Sequence, residues 1–422
     1  MARPRWRLPL ALVATAVAAG TATLLLRPRS GLIDPAAVDA TAYFSPAQLE
    51  RAEDFRSLQR VIFLGQIALS GVTLAVLALR PPARFAGFLE RMGARPLLGG
   101  AAAGATLSLI LAVVGLPLSY WAHERSVDVG LSTQSLGPWL GDQALTAGIG
   151  AVFGAIAGGV FLGLVRRFPR RWWIPSAGAA MVIGVLAVYL TPVVIDPLFN
   201  KFEPLPRGPL RSEVLRLADR AGVDVGQVYR VDASRRTTAI NAYVVGIGHT
   251  KRVVIYDNLI EDYPRAQVRS VIAHELGHVH SRDVPRGLLW LAIVVLPGAF
   301  LIQVLAERIA PRELEPRRGA RRAGPEALPA LALSLGLVSF ALTCAGNQLS
   351  RPVEAHADAF ALRLTDDPKA FVQLERSLAL RNLGDPDPPG ITQGLFGTHP
   401  TTIERIGIGR RWEQEGPRSL SR

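Results

Sequence analysis

The chain has 422 residues, 49% of them hydrophobic, and a mean hydropathy of +0.26; with the apolar residues gathered into long runs, this excludes an ordinary soluble protein. The net charge of +13 is almost all arginine, lysine occurring only at Lys201, Lys251 and Lys369. Because the arginines flank the apolar runs, the charge fits anionic lipid and membrane topology, and no nucleic-acid partner is expected.

Seven runs are long enough to cross a bilayer: Leu8–Leu26, Val61–Leu79, Leu97–Tyr120, Ala144–Val165, Trp173–Ile195, Gly287–Ala306 and Leu328–Ala345. None contains Asp, Glu, Lys, Arg or His. The first follows Arg3, Arg5 and Arg7 as a signal peptide would, but it is long for one and lacks a small-x-small cleavage site, so a retained span is expected. After it, FSPAQLERAEDFRSLQR predicts an amphipathic loop helix over 44–60, with Ser45 as N-cap and Pro46 at the first position. The loops Arg80–Pro96 and Arg166–Arg171 are basic, and Trp121–Gln143 is slightly acidic. Trp172 and Trp173 fall where an interfacial aromatic belt is expected. The one cysteine, Cys344, lies in the last run and excludes an intrachain disulfide or a cysteine metal cage.

From Asp196 to Arg286 hydropathy falls and the pattern reads as soluble α+β. Leu210, Val214, Leu217, Ala218 and Ala221 predict a helix closed by Gly222. Val228–Val231 predicts a strand, and Ala239–Val245 and Arg252–Tyr256 a hairpin with a loop. Val268, Ile272, Leu276 and Val279 then recur at helical spacing, with Glu261 and Asp262 suited to that helix's N-terminus. The helix carries HELGH, His274 to His278. Four-residue spacing stacks two imidazoles on one face, where both can hold one metal, with the Glu275 carboxylate beside them to work on metal-bound water. Five residues can match by accident on an amphipathic helix, so the reading needs a further ligand.

Zinc with two histidines takes a third protein ligand and keeps one position open. His123, His249 and His280 are poorly placed for it. The best candidate is Glu354 in SRPVEAHADAF, where Glu354 and Asp358 share a helix face at i, i+4. One carboxylate can bind the metal and the other accept the N–H of a ligating imidazole; His356, between them, points elsewhere and reads as structural.

These stretches, in this order, resemble the type 1 CAAX prenyl protease family: FSPAQLERAEDFR, IDPLFNKFEPL (Ile195–Leu205), NAYVVG (Asn241–Gly246), VIYDNLI (Val254–Ile260), HELGH, the E-x-x-x-D of Glu354 and Asp358, and THPTTIERI (Thr398–Ile406). The resemblance implies a mostly α polytopic membrane protein, about seven transmembrane helices with a zincin-like α+β metalloprotease domain and a small β hairpin or sheet. It implies one zinc per chain on His274, His278 and Glu354. Glu275 would be the general base toward zinc-bound water, Asp358 a partner of a ligand histidine, and His399 a donor to the oxyanion. Asn241, Ala242 and Tyr243 would form the strand along which substrate lies. The expected organisation is 1–195 with five spans, 196–286 with HExxH, 287–345 with two spans, and 346–422 with the third ligand.

The expected function is a membrane-embedded zinc metalloendopeptidase acting on peptide or membrane-protein substrates, lipidated ones included, in the cell membrane. The alternatives are a membrane-protein quality-control protease and a non-catalytic receptor or transporter; the last is disfavoured by the absence of ionisable residues within the spans. Seven spans put the termini on opposite sides. The arginines of the N-terminal tail and of the loops after spans two, four and six favour a cytoplasmic N-terminus, hence an extracytoplasmic site. The resemblance points the other way, to a site open to the cytosol.

Overall fold

The computed structural model describes residues 6–246, 248–310, 314 and 323–416. Of the arginines used for topology, Arg3, Arg5, Arg312, Arg317, Arg318, Arg321 and Arg322 lie outside the described residues, as does the side chain of His249. Seven described helices are long and apolar enough to cross a membrane. In chain order the helices are α1 (Arg7–Leu26), α2 (Pro46–Leu79), the short α3 (Ala83–Met92), α4 (Pro96–Asp128), α5 (Leu136–Arg167) and α6 (Trp173–Leu190). Then come α7 (Asp196–Phe199), α8 (Pro209–Arg220), α9 (Asp257–Asp262), α10 (Arg265–His280) and α11 (Asp283–Ile309). A 38-residue helix, Leu328–Thr365, and the helices Pro368–Arg381, Gly390–Phe396 and Thr402–Glu415 complete the chain.

Several expected boundaries move. The stretch 44–60 is not a separate loop helix: it is the first half of α2, which continues unbroken into the second span. Its start is as expected, with Ser45 and Gln48 forming a capping box before Pro46. Nothing at the end of the polar half breaks a helix, so it runs on. The last span and the segment bearing Glu354 are likewise one helix, despite Pro352 within it, which carries the chain past the expected boundary at 345. Trp172 packs inside the protein rather than against lipid; it is 1% exposed, edge-on to Phe161 at 5.0 Å.

Close packing of α4 on α5 follows from facing glycines. A Cβ on Gly104 would lie 2.0 Å from the Gly154 carbonyl oxygen, and one on Gly158 2.2 Å from that of Gly100, so small residues set the interhelical distance. α1 is built into the bundle. Ala11 is buried against Leu301 and Val304, Ala19 and Ala22 against Val294, and Arg7 pairs with the buried Glu307 at 3.0 Å.

The sheet has four strands in the order β1-β2-β4-β3: β1 Phe202–Pro204, β2 Gln227–Val231, β3 Ala242–Val245 and β4 Arg252–Tyr256. β4 is central, parallel to β2 and antiparallel to β3, and Val253, Val254 and Ile255 are fully buried. The expected hairpin is β3–β4, but β3 begins at Ala242 rather than Ala239; the Asn258 side-chain amide donates to the Thr237 and Ala239 carbonyls and the Ile240 N–H donates to Asn382, drawing the run's first residues out of the ladder. β1 was not legible, being three residues with a proline. Glu261 and Asp262 close α9 rather than open α10, which starts after Pro264. A core of α8, β2, β4, α10 and the end of the long helix, centred on Val214, Val228, Ile255, Ile272 and Leu276, fixes α10 against the sheet.

Candidate active site

α10 and the long helix Leu328–Thr365 cross where their close approach is allowed by Gly277, at which a Cβ would meet Phe360 at 3.1 Å. The crossing brings together what the chain separates by 76 to 80 positions. The Nε2 atoms of His274 and His278 lie 3.1 Å apart, and Glu354 Oε2 lies 3.1 Å from the first and 3.5 Å from the second. Among the described residues these three offer ligand atoms all within 4.8 Å of one another.

The other ring nitrogens decide the tautomers. His274 Nδ1 is 2.8 Å from Asp358 Oδ1, and His278 Nδ1 is 2.9 Å from Asp283 Oδ2. Carboxylates accept, so each Nδ1 donates and each Nε2 presents a lone pair. Two lone pairs and a carboxylate oxygen then converge with no donor between them. That donor set fits a divalent metal, and the arrangement of carboxylate behind imidazole is how ligating histidines are held. Asp283 escaped the sequence reading. Its signal was faint, an acidic residue just past the HELGH helix. It reaches back because Arg282 takes a left-handed turn (φ 55) between α10 and α11.

A second ring of charge supports the first. Asp358, fully buried, accepts from Arg405 Nε at 2.8 Å and Nη2 at 2.6 Å, and Arg405 Nη1 is 2.8 Å from the buried Glu375. Burial alone would lower the Arg405 pKa, but Asp358 and Glu375 hold it raised; burial pushes the Glu375 carboxyl up to about 7 against the pull of Arg405. Arg405 stood in plain view in THPTTIERI, but only the fold joins it to Asp358.

Glu275 is half-buried, and burial raises its carboxyl above the usual range, opposed by His274 and His278. It lies on the wall shared by two cavities, one of about 530 Å³ and one of about 570 Å³. Val244, Val245 and Gly246 line the first and Asn241 the second, so β3, the sheet's edge strand, runs past both. Ala242 is buried beneath the sheet, and Tyr243 packs on its opposite face with Val231 and Val254 and lines neither cavity. His399, exposed, places Nε2 3.2 Å from Glu354 Oε2. His356 faces away, its Nδ1 3.2 Å from Ser281 Oγ; His280 Nδ1 donates to the Ala221 carbonyl, and His123 stacks on Trp139.

A polytopic helical bundle with this His-His-Glu cluster beside a sheet edge defines the class: a membrane-embedded metalloprotease. The Peptidase family M48 profile matches residues 204–412, and that described as CAAX prenyl protease N-terminal, five membrane helices, matches 41–201. The chain belongs to peptidase family M48, within the CAAX prenyl protease family. It is 31% identical over 369 residues to the uncharacterized metalloprotease YhfN of Bacillus subtilis, covering 87% of each chain. It is 27% identical over 325 residues to CAAX prenyl protease 1 of Saccharomyces cerevisiae, covering 71% of this chain and 69% of that one. Its fold matches the crystal structure of S. mikatae Ste24p with a TM-score of 0.72 at 20% identity, covering 97% and 100% of the two chains.

Proposed function

We infer that the protein is a zinc-dependent endopeptidase of the membrane, with zinc on His274, His278 and Glu354 and Glu275 as general base and acid. The observation that carries this is the convergence of the three acceptor atoms, each histidine being locked in the ligating tautomer by a carboxylate. Two stretches of chain, 196–286 and 346–422, assemble the catalytic unit across the last two spans. Zinc supplies Lewis acidity toward water and the scissile carbonyl. Glu275 takes a proton from the attacking water as the C–O bond forms, and returns it to the amide nitrogen as the C–N bond breaks. One water is consumed, and an acid and an amine result. Asp358 and Asp283 hold the imidazoles, and Arg405 holds Asp358. His399, beside Glu354 on the open side, donates to the oxygen that gains charge. An extended peptide pairs with the free edge of β3 at Asn241–Val245, one flank in each cavity. Elemental analysis of the purified protein should find about one zinc per chain, with peptide hydrolysis lost on chelation and restored by zinc; hydrolysis that persists in metal-free protein refutes the reading.

The named prenyl proteases among the relatives support a lipidated substrate as one that this site accepts; Val188, Tyr189, Val279 and Val284 give the 530 Å³ cavity an apolar wall against the spans. The site is proposed to lie on the extracytoplasmic face of the cell membrane. Arg7 meets Glu307, Arg166 donates to the Ala323 carbonyl and Gln303 to the Arg170 carbonyl. These contacts gather the start of α1, the loop after span four and the described residues that flank the loop after span six at one end of the bundle, the end that the arginine rule assigns to the cytoplasm. On a Cys344→Ala background, Ser419→Cys should react with a membrane-impermeant thiol reagent in intact cells and Ala320→Cys should not. Both positions lie outside the described residues. The reverse pattern puts the site in the cytoplasm.

A further inference from the structure

The side chain of His399 is 52% exposed, so packing does little to hold the ring that the proposed catalysis places beside Glu354. The backbone on either side must fix it, and both sides are tied to the long helix Leu328–Thr365. After His399, Arg405 reaches Asp358. Before it stands the short helix Gly390–Phe396, and Arg351 takes hold of that helix's end. Arg351 Nη1 lies 3.1 Å from the Gln393 carbonyl oxygen, 3.3 Å from that of Gly394 and 3.0 Å from that of Gly397. Carbonyls at a helix C-terminus are short of donors, and the helix dipole favours a cation there. Asn347 Nδ2 adds a bond to the Leu395 carbonyl at 2.8 Å, and Gln348 Nε2 one to that of Gly394 at 2.5 Å. Gln348 Oε1 in turn accepts from Arg351 Nη2, which holds the guanidinium plane.

The grip passes from this helix end to His399. Gln393, whose carbonyl Arg351 holds, donates its side-chain Nε2 to the His399 carbonyl at 2.7 Å. The Gln393 side chain crosses Gly397, where a Cβ would collide with it. Thr398 Oγ1 lies 2.8 Å from His399 Nδ1, which leaves Nε2 facing Glu354. Arg351, Glu354 and Asp358 fall at i, i+3 and i+7 of one helix and so share a face. One rigid element therefore carries a proposed metal ligand and, to either side of it, the anchors of the two segments that suspend His399.

We propose that Arg351 is a positioning residue for the peptidase reaction, setting His399 at its distance from the metal cluster by clamping the end of helix Gly390–Phe396. Arg351 lines neither of the two cavities, so it acts through His399 and not on the peptide. The inference rests on the peptidase reading and adds to it how the proposed oxyanion donor is held.

Four full-length variants test it against wild type: Arg351→Gln, Arg351→Lys, His399→Ala, and Arg351→Gln with His399→Ala. Arg351→Gln should keep its metal and its KM and lose roughly ten- to a hundredfold in kcat, the cost of misplacing a catalytic group by about 1 Å. Arg351→Lys, which keeps a cation at the carbonyls, should recover part of the loss. In the His399→Ala background Arg351→Gln should cost nothing further, because the group it positions is gone. A merely structural role lowers kcat by the same factor in both backgrounds and overturns the proposal. So does an unchanged kcat in Arg351→Gln, or a loss of metal there, which would make Arg351 a support of Glu354 instead. Hydrogen exchange at the amides of 390–400, measured in Glu275→Gln protein, reads the clamp without turnover. Adding Arg351→Gln should quicken it about tenfold, the scale of one lost hydrogen bond to a charged group, and leave α10 unchanged. Unchanged exchange at 390–400 refutes the clamp. Wild-type protein that binds zinc and cuts no peptide refutes the peptidase reading, and exchange then judges the clamp alone.

Discussion

Glu275→Gln should leave the fold and the bound metal in place and lower kcat by roughly a hundred- to ten-thousand-fold, the usual reach of a positioned general base. The amide matches the carboxylate in size and sits in the same half-buried wall, so packing is kept. It cannot take a proton from water at neutral pH. Burial raises the wild-type carboxyl, which makes the carboxylate a stronger base toward water and brings it nearer the operating pH, where one group can both take and return a proton. Metal content by elemental analysis, with kcat on one peptide, reads both halves. Metal lost along with activity would show that Glu275 is a structural group instead. His399→Ala is the contrasting arm. A donor to the developing oxyanion acts in the transition state, so kcat should fall with KM little changed; an unchanged kcat removes His399 from that role.

Glu354→Ala should strip the metal, and with it nearly all activity, whereas His356→Ala, two residues along the same helix, should do neither. Without the Glu354 carboxylate two neutral imidazoles remain, one protein ligand and one negative charge short of a catalytic zinc site. His356 bonds Ser281 on the other side of the helix. The carboxylates behind the histidines act at one remove. Asp283→Asn should weaken metal binding about 10- to 100-fold, because the amide no longer fixes His278 in the ligating tautomer. Asp358 is the less clean probe, since removing its charge also leaves the buried Arg405 with Glu375 alone, a destabilisation that accompanies any loss of metal. Metal titration of the apoproteins, with thermal unfolding alongside, separates binding from folding. Retention of metal in Glu354→Ala with its loss in His356→Ala would falsify the ligand assignment.

Much of this was local, and what is local was legible in the sequence. Spans show as apolar runs because lipid demands them. The α10 face shows as period 3.6, and β4 matches its run of Arg252–Tyr256 residue for residue because its centre is buried on both faces. HELGH is readable because four residues make about one helical turn, so one element carries both histidines and the glutamate assigned here to the metal and the base. Where an apolar run ends, the pattern says nothing about whether the helix does. That is why the polar half of α2 and the segment bearing Glu354 read as separate pieces and prove continuous with their spans. The chain by itself therefore determined the membrane class and pointed to the two histidines, the proposed base and a short choice of third ligand. Only the tertiary structure decided that Asp283 stands behind His278, that Arg405 ties Asp358 to Glu375, that Tyr243 faces away from the cavities, and that Arg351 grips the helix end before His399. Each depends on which helix crosses which, and crossings are set by contacts between residues far apart in the chain: a glycine under Phe360, a left-handed Arg282, glycines of α4 against those of α5. Periodicity cannot see such pairs, because it records which side of an element is buried and not what it is buried against.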